Sequence, residues 1–98
     1  MIVRIVRMEF QADKLEAFHQ IFDQSKQAIR QFPGCLHLEL HRDPQNEQVR
    51  YTYSHWEHED ALNAYRKSEL FGGVWPATKA LFAAKPKAFS LIQMETVE

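Results

Sequence analysis

Cys35-Leu36-His37-Leu38-Glu39-Leu40-His41-Arg42 and Gln48-Val49-Arg50-Tyr51-Thr52-Tyr53-Ser54-His55-Trp56 read as two strands joined by the turn Asp43-Pro44-Gln45-Asn46. Both runs alternate with a period of two, as a strand with distinct faces requires. Leu36, Leu38 and Leu40 share one face of the first run, and Cys35, His37, Glu39 and His41 share the other. In the second run Val49, Tyr51, Tyr53 and His55 oppose Arg50, Thr52, Ser54 and Trp56. The Asp-Pro and Asn residues between them are turn formers. A hairpin that pairs odd positions with odd puts His37, Glu39 and His41 on one face with Tyr51, Tyr53 and His55.

The flanking chain completes the pattern. Met1 to Phe10 is rich in β-branched residues (Ile2, Val3, Ile5, Val6) and reads as a strand. Its apolar residues fall on both faces, so both are expected to be covered. Asp13-Lys14-Leu15-Glu16 has the form of a capping box, predicting Asp13 as N-cap with Glu16 reaching back. Leu15, Phe18, Phe22 and Ile29 follow at helical spacing, with Ile21 beside the stripe. Phe32-Pro33-Gly34 should end that helix, because Pro33 disfavours helix before it and Gly34 suits a left-handed cap. Glu57 to Lys67 predicts a second helix with Ala61, Leu62 and Tyr65 inward. Ser68 can cap a further helical piece that carries Leu70, Phe71, Val74, Trp75, Thr78, Leu81 and Phe82. Gly72, Gly73 and Pro76 interrupt this piece, and Pro76 predicts a kink or fresh start near Gly73. Lys85-Pro86-Lys87 leads into a last strand, Ala88 to Thr96.

The order is β-α-β-β-α-β, an α+β, ferredoxin-like arrangement with a four-stranded antiparallel sheet in a single domain, 1–98. Two helices cover one face of such a sheet. The other carries either the leucine row or the Tyr51/Tyr53 row, and neither tolerates open water over a whole sheet. A homodimer through the sheet face is the expected remedy.

Composition narrows the function. Of 98 residues 45% are hydrophobic and 12% aromatic, so a generous set of rings must be housed in a core, a pocket or an interface. Lys+Arg is 12 against 13 for Asp+Glu, which gives no electrostatic footprint for nucleic acid or anionic lipid. No apolar run approaches the ~20 residues that span a bilayer. The start, MIVRIVRMEF, lacks the apolar core and small-residue cleavage site of a signal peptide. Cys35 is the one cysteine and cannot form an internal disulfide. A cytoplasmic protein is expected from these features.

Tyr51-Thr52-Tyr53-Ser54-His55-Trp56-Glu57-His58-Glu59-Asp60-Ala61-Leu62, followed by Tyr65 and by Ser68-Glu69-Leu70-Phe71, resembles the antibiotic biosynthesis monooxygenase (ABM) domain family. Phe32-Pro33-Gly34-Cys35 resembles the family's turn from first helix to second strand. The resemblance implies a dimeric α+β barrel with one pocket per chain between helices and sheet. It also implies a monooxygenase that oxidises a small cyclic, electron-rich, quinol- or anthrone-like substrate with O2, using no cofactor, neither metal nor flavin. Other members degrade haem, isomerise small metabolites or have no known activity. The haem-degrading branch has a ligating His at the position matching Trp75 and an Asn in the first strand. Trp75 cannot ligate iron, and the first strand here offers Arg4 and Arg7 instead.

Candidate residues fall into four groups. His37 and His41 stand roughly 13 Å apart along a strand, too far to chelate one ion directly, and no helix carries two histidines at ligand spacing, so no metal site is predicted. His41 and His58 read as surface residues. His37, Tyr51, Tyr53 and His55 form a polar-aromatic cluster that suits either a base near neutral pH or a dimer interface. Trp56, Tyr65, Phe71 and Trp75 suit either the wall of a flat substrate pocket or ordinary core packing. Gly72 and Gly73 favour the pocket, because residues without side chains leave room against the sheet and bare two amides. One of Arg4 and Arg7, on opposite faces of the first strand, is expected to hold an enolate or carboxylate; Arg7 enters the candidate site. The expected site thus has His37 or His55 as base, Tyr65 or an Arg as charge stabiliser, and Trp56, Phe71, Gly72, Trp75, Tyr53 and Arg7 around the substrate. A non-oxidative isomerase and a non-catalytic small-molecule-binding dimer are the alternatives on the same scaffold.

Overall fold

The computed structural model describes residues 1–98. The elements in order are β1 (Ile2–Glu9), α1 (Leu15–Arg30), β2 (Cys35–Arg42), β3 (Val49–Trp56), α2 (Glu59–Arg66), α3 (Glu69–Lys79) and β4 (Lys87–Ile92). The four strands form one antiparallel sheet in the order β2-β3-β1-β4, which is the ferredoxin-like α+β topology. No helix is long and apolar enough to cross a membrane.

The hairpin pairs as its alternation predicts: His37 faces His55, Glu39 faces Tyr53 and His41 faces Tyr51. A register irregularity lies between Cys35 and His37, while Cys35 still pairs with Trp56. All three helices pack on the face that carries the even-numbered residues, including Arg4, Met8, Leu38, Ser54 and Trp56. Leu38 and Leu40 therefore belong to the helix side. The irregularity corrects the expected alternation at the start of β2: Cys35 joins the helix-side core beside Trp56 instead of sharing a face with His37, and Leu36 is left 45% exposed. The odd face, with His37, Tyr53 and His55, has no helix over it.

The core under the helices is built in two parts. Trp56, Leu62, Ala61 and Cys35 pack together near the α1–β2 turn, joined by Phe32 and Tyr65. Met8, Phe10 and Phe18 form the other part, with Phe22, Trp75 and Phe82 against them. Gly34 holds the first part closed. Its φ of +88° is a left-handed conformation that suits glycine, and a Cβ there would overlap the Cβ of Ala61.

Three local expectations are corrected. Asp13 does not cap α1. A 3-10 turn over Ala12–Lys14 precedes the helix, and no side chain caps it. Backbone bonds take over that role: Lys14 N donates to Gln11 O at 2.9 Å, and Gln11 N donates to Leu81 O at 3.0 Å. The chain turns into the helix already tied to the segment after α3.

Ser68 does cap α3, its Oγ accepting from Phe71 N at 3.1 Å, but α3 runs without interruption through Gly73 and Pro76. The carbonyl that loses its donor to Pro76 belongs to Gly72, which is exposed, so water can satisfy it. Finally, β4 ends at Ile92 instead of Thr96. It pairs antiparallel with β1, whose first residue, Ile2, stands opposite Ile92, so the ladder runs out of partner there.

Candidate functional site

A cavity of about 150 Å³ lies between the three helices and the even face of the sheet. Of its 19 lining residues 13 are hydrophobic, so it suits a ligand with an apolar body. Its aromatic wall is continuous. Trp56 comes from the end of β3, Tyr65 from the last turn of α2, and Phe71 and Trp75 from one face of α3, four residues apart as the helical repeat demands. Tyr65 stacks on Trp56 with centroids 5.0 Å apart. The edge of Tyr65 meets Phe71 at 5.2 Å, and Phe71 stacks on Trp75 at 5.7 Å. Phe32 sets its edge against both Trp56 and Tyr65 from behind.

Polar groups in the wall are few and positioned. Trp56 Nε1 donates to Ser54 Oγ at 3.0 Å, which fixes the indole plane. Thr78 Oγ1 donates to the carbonyl of Val74 at 2.8 Å and is spent within the helix. Arg4 and Arg66 also line the cavity, and Arg4 Nη1 donates to Ser90 Oγ at 2.8 Å. Burial first, and then the charge of Arg66, lowers the pKa of the Arg4 guanidinium. Burial pushes the Tyr65 phenol up to about 12. At neutral pH Tyr65 is therefore a hydrogen-bond donor and not a base.

The expected site residues divide between the two faces of the sheet. Trp56, Tyr65, Phe71 and Trp75 come together in the cavity. His37, Tyr53, His55 and Arg7 stand on the opposite face, because strand alternation sends odd-numbered side chains there. One sheet thickness separates the two groups, so neither histidine reaches a molecule held against Trp75. On that open face Glu39 accepts from both His37 and His41, the latter at 2.6 Å, and these bonds lower the pKa of Glu39. His55 and Tyr53 are hydrogen-bonded at 2.8 Å, and Arg7 pairs with Glu9 at 3.5 Å.

Gly72 is a further correction. A Cβ on it would meet nothing within 4 Å, so it makes no room against the sheet. It occupies the exposed side of α3, while Phe71 and Trp75 occupy the cavity side. His58, expected as a bland surface residue, caps α2 by accepting from Ala61 N at 3.3 Å. The reading of the sequence passed over Ser54 and Arg66 and chose Arg7 over Arg4. The signal for Arg4 is its pairing with Ser54 across β1 and β3, which puts it on the Trp56 face.

The fold has close relatives among solved structures. A structure described as an antibiotic biosynthesis monooxygenase superposes with a TM-score of 0.90 at 17% identity, over 97% of this chain and 100% of that one. A Mycobacterium tuberculosis protein matches with a TM-score of 0.90 at 15% identity, over 99% of this chain and 98% of that one. A conserved protein from Methanosarcina mazei Go1 matches with a TM-score of 0.89 at 14% identity, over 96% and 94% of the two chains. At these identities the likeness is one of fold. No curated protein matches the sequence. The family model for antibiotic biosynthesis monooxygenase matches residues 1–74, which span β1 through the first half of α3 and include Trp56, Tyr65 and Phe71 of the cavity wall but end one residue short of Trp75. With that match over most of its length, the chain belongs to the antibiotic biosynthesis monooxygenase family.

Proposed function

We propose that the cavity under the helices binds a small, planar, electron-rich ring and that the protein inserts one oxygen atom of O2 into it. The observation that carries this reading is the wall of Trp56, Tyr65, Phe71 and Trp75 around a mostly apolar space, within a chain of this family. A void of about 150 Å³ is the size that holds a benzene ring in an engineered protein core, so a one-ring quinol or a compact two-ring phenol suits it better than a three-ring anthrone.

The chemistry asks little of the protein. A phenol-type substrate gives up its O–H proton to water at the cavity mouth. The anion passes one electron to O2, the two radicals recombine at a ring carbon as a peroxide anion, and this takes a proton back from water to become a hydroperoxide. Loss of water then leaves a carbonyl, with one oxygen atom in the quinone and the other in the water. The stacked rings orient the substrate and exclude solvent. Tyr65 donates to the oxygen on which charge develops. The cavity-lining set holds no His, Asp, Glu or Cys, so the proton does not go to a carboxylate, thiol or imidazole of this wall. The same fact disfavours the isomerase alternative, which needs a shuttle titrating near neutral pH.

A second copy over the open face of the sheet is part of the reading. Phe89 and Leu91 are 53% and 52% exposed there, across from Ile5 and Val3. Oxygen uptake with a panel of hydroquinones and naphthols, followed by mass spectrometry of the product, tests the proposal. Label from ¹⁸O2 in the product is the expected result. Ring binding without oxygen uptake would overturn the monooxygenase reading and leave a binding dimer.

A further inference from the structure

We infer that Arg4 and Arg66 form an anion-recognition pair that selects aromatic carboxylates for the cavity. The inference rests on the cavity being the ligand site.

Two observations place the pair. Both side chains line the same apolar space, and the charge of Arg66 reaches the Arg4 guanidinium. No carboxylate answers them. The ion pairs of the chain join Arg7 to Glu9, Lys26 to Asp23, and His37 and His41 to Glu39, and none includes Arg4 or Arg66. The cavity itself contains no acidic side chain. Arg7 makes the contrast clear: on the open face of the same strand it has a carboxylate partner.

Two unpaired guanidiniums beside an oily wall repel one another, and Arg4 is partly desolvated as well; both costs fall when an anion sits between them. Arg4 is held in place by its bond to Ser90, so one edge of its fork is already spent and the remaining donors are left for a ligand. Planar forks recognise carboxylates with paired hydrogen bonds, which a neutral isostere cannot reproduce. The ring of such a ligand would lie on the Trp56–Tyr65 stack with its carboxylate toward α2 and β1. The ligand class is therefore a one-ring aromatic acid whose ring bears electron-releasing hydroxyls.

Calorimetry with 2,5-dihydroxybenzoate and its neutral twin, 2,5-dihydroxybenzamide, tests the pair. The acid is expected to bind about tenfold or more tightly than the amide at low salt. Added salt should erode that preference, because Arg66 is exposed. The double variant Arg4→Gln/Arg66→Gln should lose the preference while keeping its affinity for the amide. Arg66→Gln alone, at the exposed end of α2, is expected to lose part of the preference and keeps the test open should Arg4→Gln disturb the pairing of β1 with β4. Equal affinities in the natural chain, or a preference that survives in the double variant, would overturn the anion pair and leave the cavity reading standing. Binding of neither compound would overturn both.

Discussion

The Tyr65 ring lies nearly parallel to the Trp56 indole, with planes 26° apart and centroids 5.0 Å apart. The stack joins the end of β3 to the end of α2 and makes the phenol part of the core as well as of the cavity. Its ionisation is thereby coupled to folding. In the unfolded chain Tyr65 ionises at its ordinary value of 10.0, whereas burial holds the proton on to about 12 in the folded chain. Stability is complete below the lower value and is lost as pH rises toward the upper one, up to about 3 kcal/mol. Tyr65→Phe should flatten this alkaline slope and remove the latest tyrosinate step from the absorbance titration. Identical alkaline slopes for the natural chain and Tyr65→Phe would show that the phenol is not held in this way.

Ser54 supplies the only partner of the Trp56 indole N–H. Both residues are buried, with Trp56 1% exposed and Ser54 6%. Ser54→Ala leaves that donor unsatisfied without changing the shape of the wall. The expected cost is about 1–3 kcal/mol, the penalty of a buried unpaired polar group. Chemical denaturation measures it, and a loss within error of zero would mean that water replaces the hydroxyl.

How far the site could be read from the sequence differs from residue to residue. The hairpin was legible because Leu36 to Leu40 and Val49 to His55 alternate without error, and one face had to follow. The aromatic wall was legible because Phe71 and Trp75 stand at helical spacing. Which arginine enters the cavity was not, because it depends on the register between β1 and β3, a long-range pairing that no local pattern carries. His37 and His55 were grouped with Trp56 by their chemistry, although the alternation of β3 already puts His55 and Trp56 on opposite faces; which face the helices cover is a tertiary fact that no local pattern carries. Asp13 failed as a cap for a similar reason: the bond from Gln11 N to the carbonyl of Leu81, distant in sequence, ties down the start of α1.

Gly72 sits in the interior of α3 with open space around it. Alanine there should stabilise the protein by about 0.5–1 kcal/mol, because glycine is the poorer helix former and no clash opposes the change. Ligand affinity should not move, since the cavity lies on the other side of the helix. A Gly72→Ala variant that weakened ring binding would put the glycine back into the site.

The open face of the sheet sets the last expectation. Leu91 is 52% exposed beside Val3, and Phe89 is 53% exposed beside Ile5, so the β1–β4 half of this face is oily. The β2–β3 half carries Tyr53, His55 and the Glu39-centred histidines instead. An interface with an apolar centre and a polar flank of this kind suits a two-fold dimer, in which one patch answers itself. Sedimentation should find the natural chain dimeric at micromolar concentration. Leu91→Glu should release monomers, because two like charges would then be forced together across the axis with no partner. His37→Ala and His55→Ala, away from the cavity, should leave turnover per folded protomer unchanged while weakening the dimer. Loss of turnover in a His55→Ala dimer that is still intact would return the histidine to catalysis.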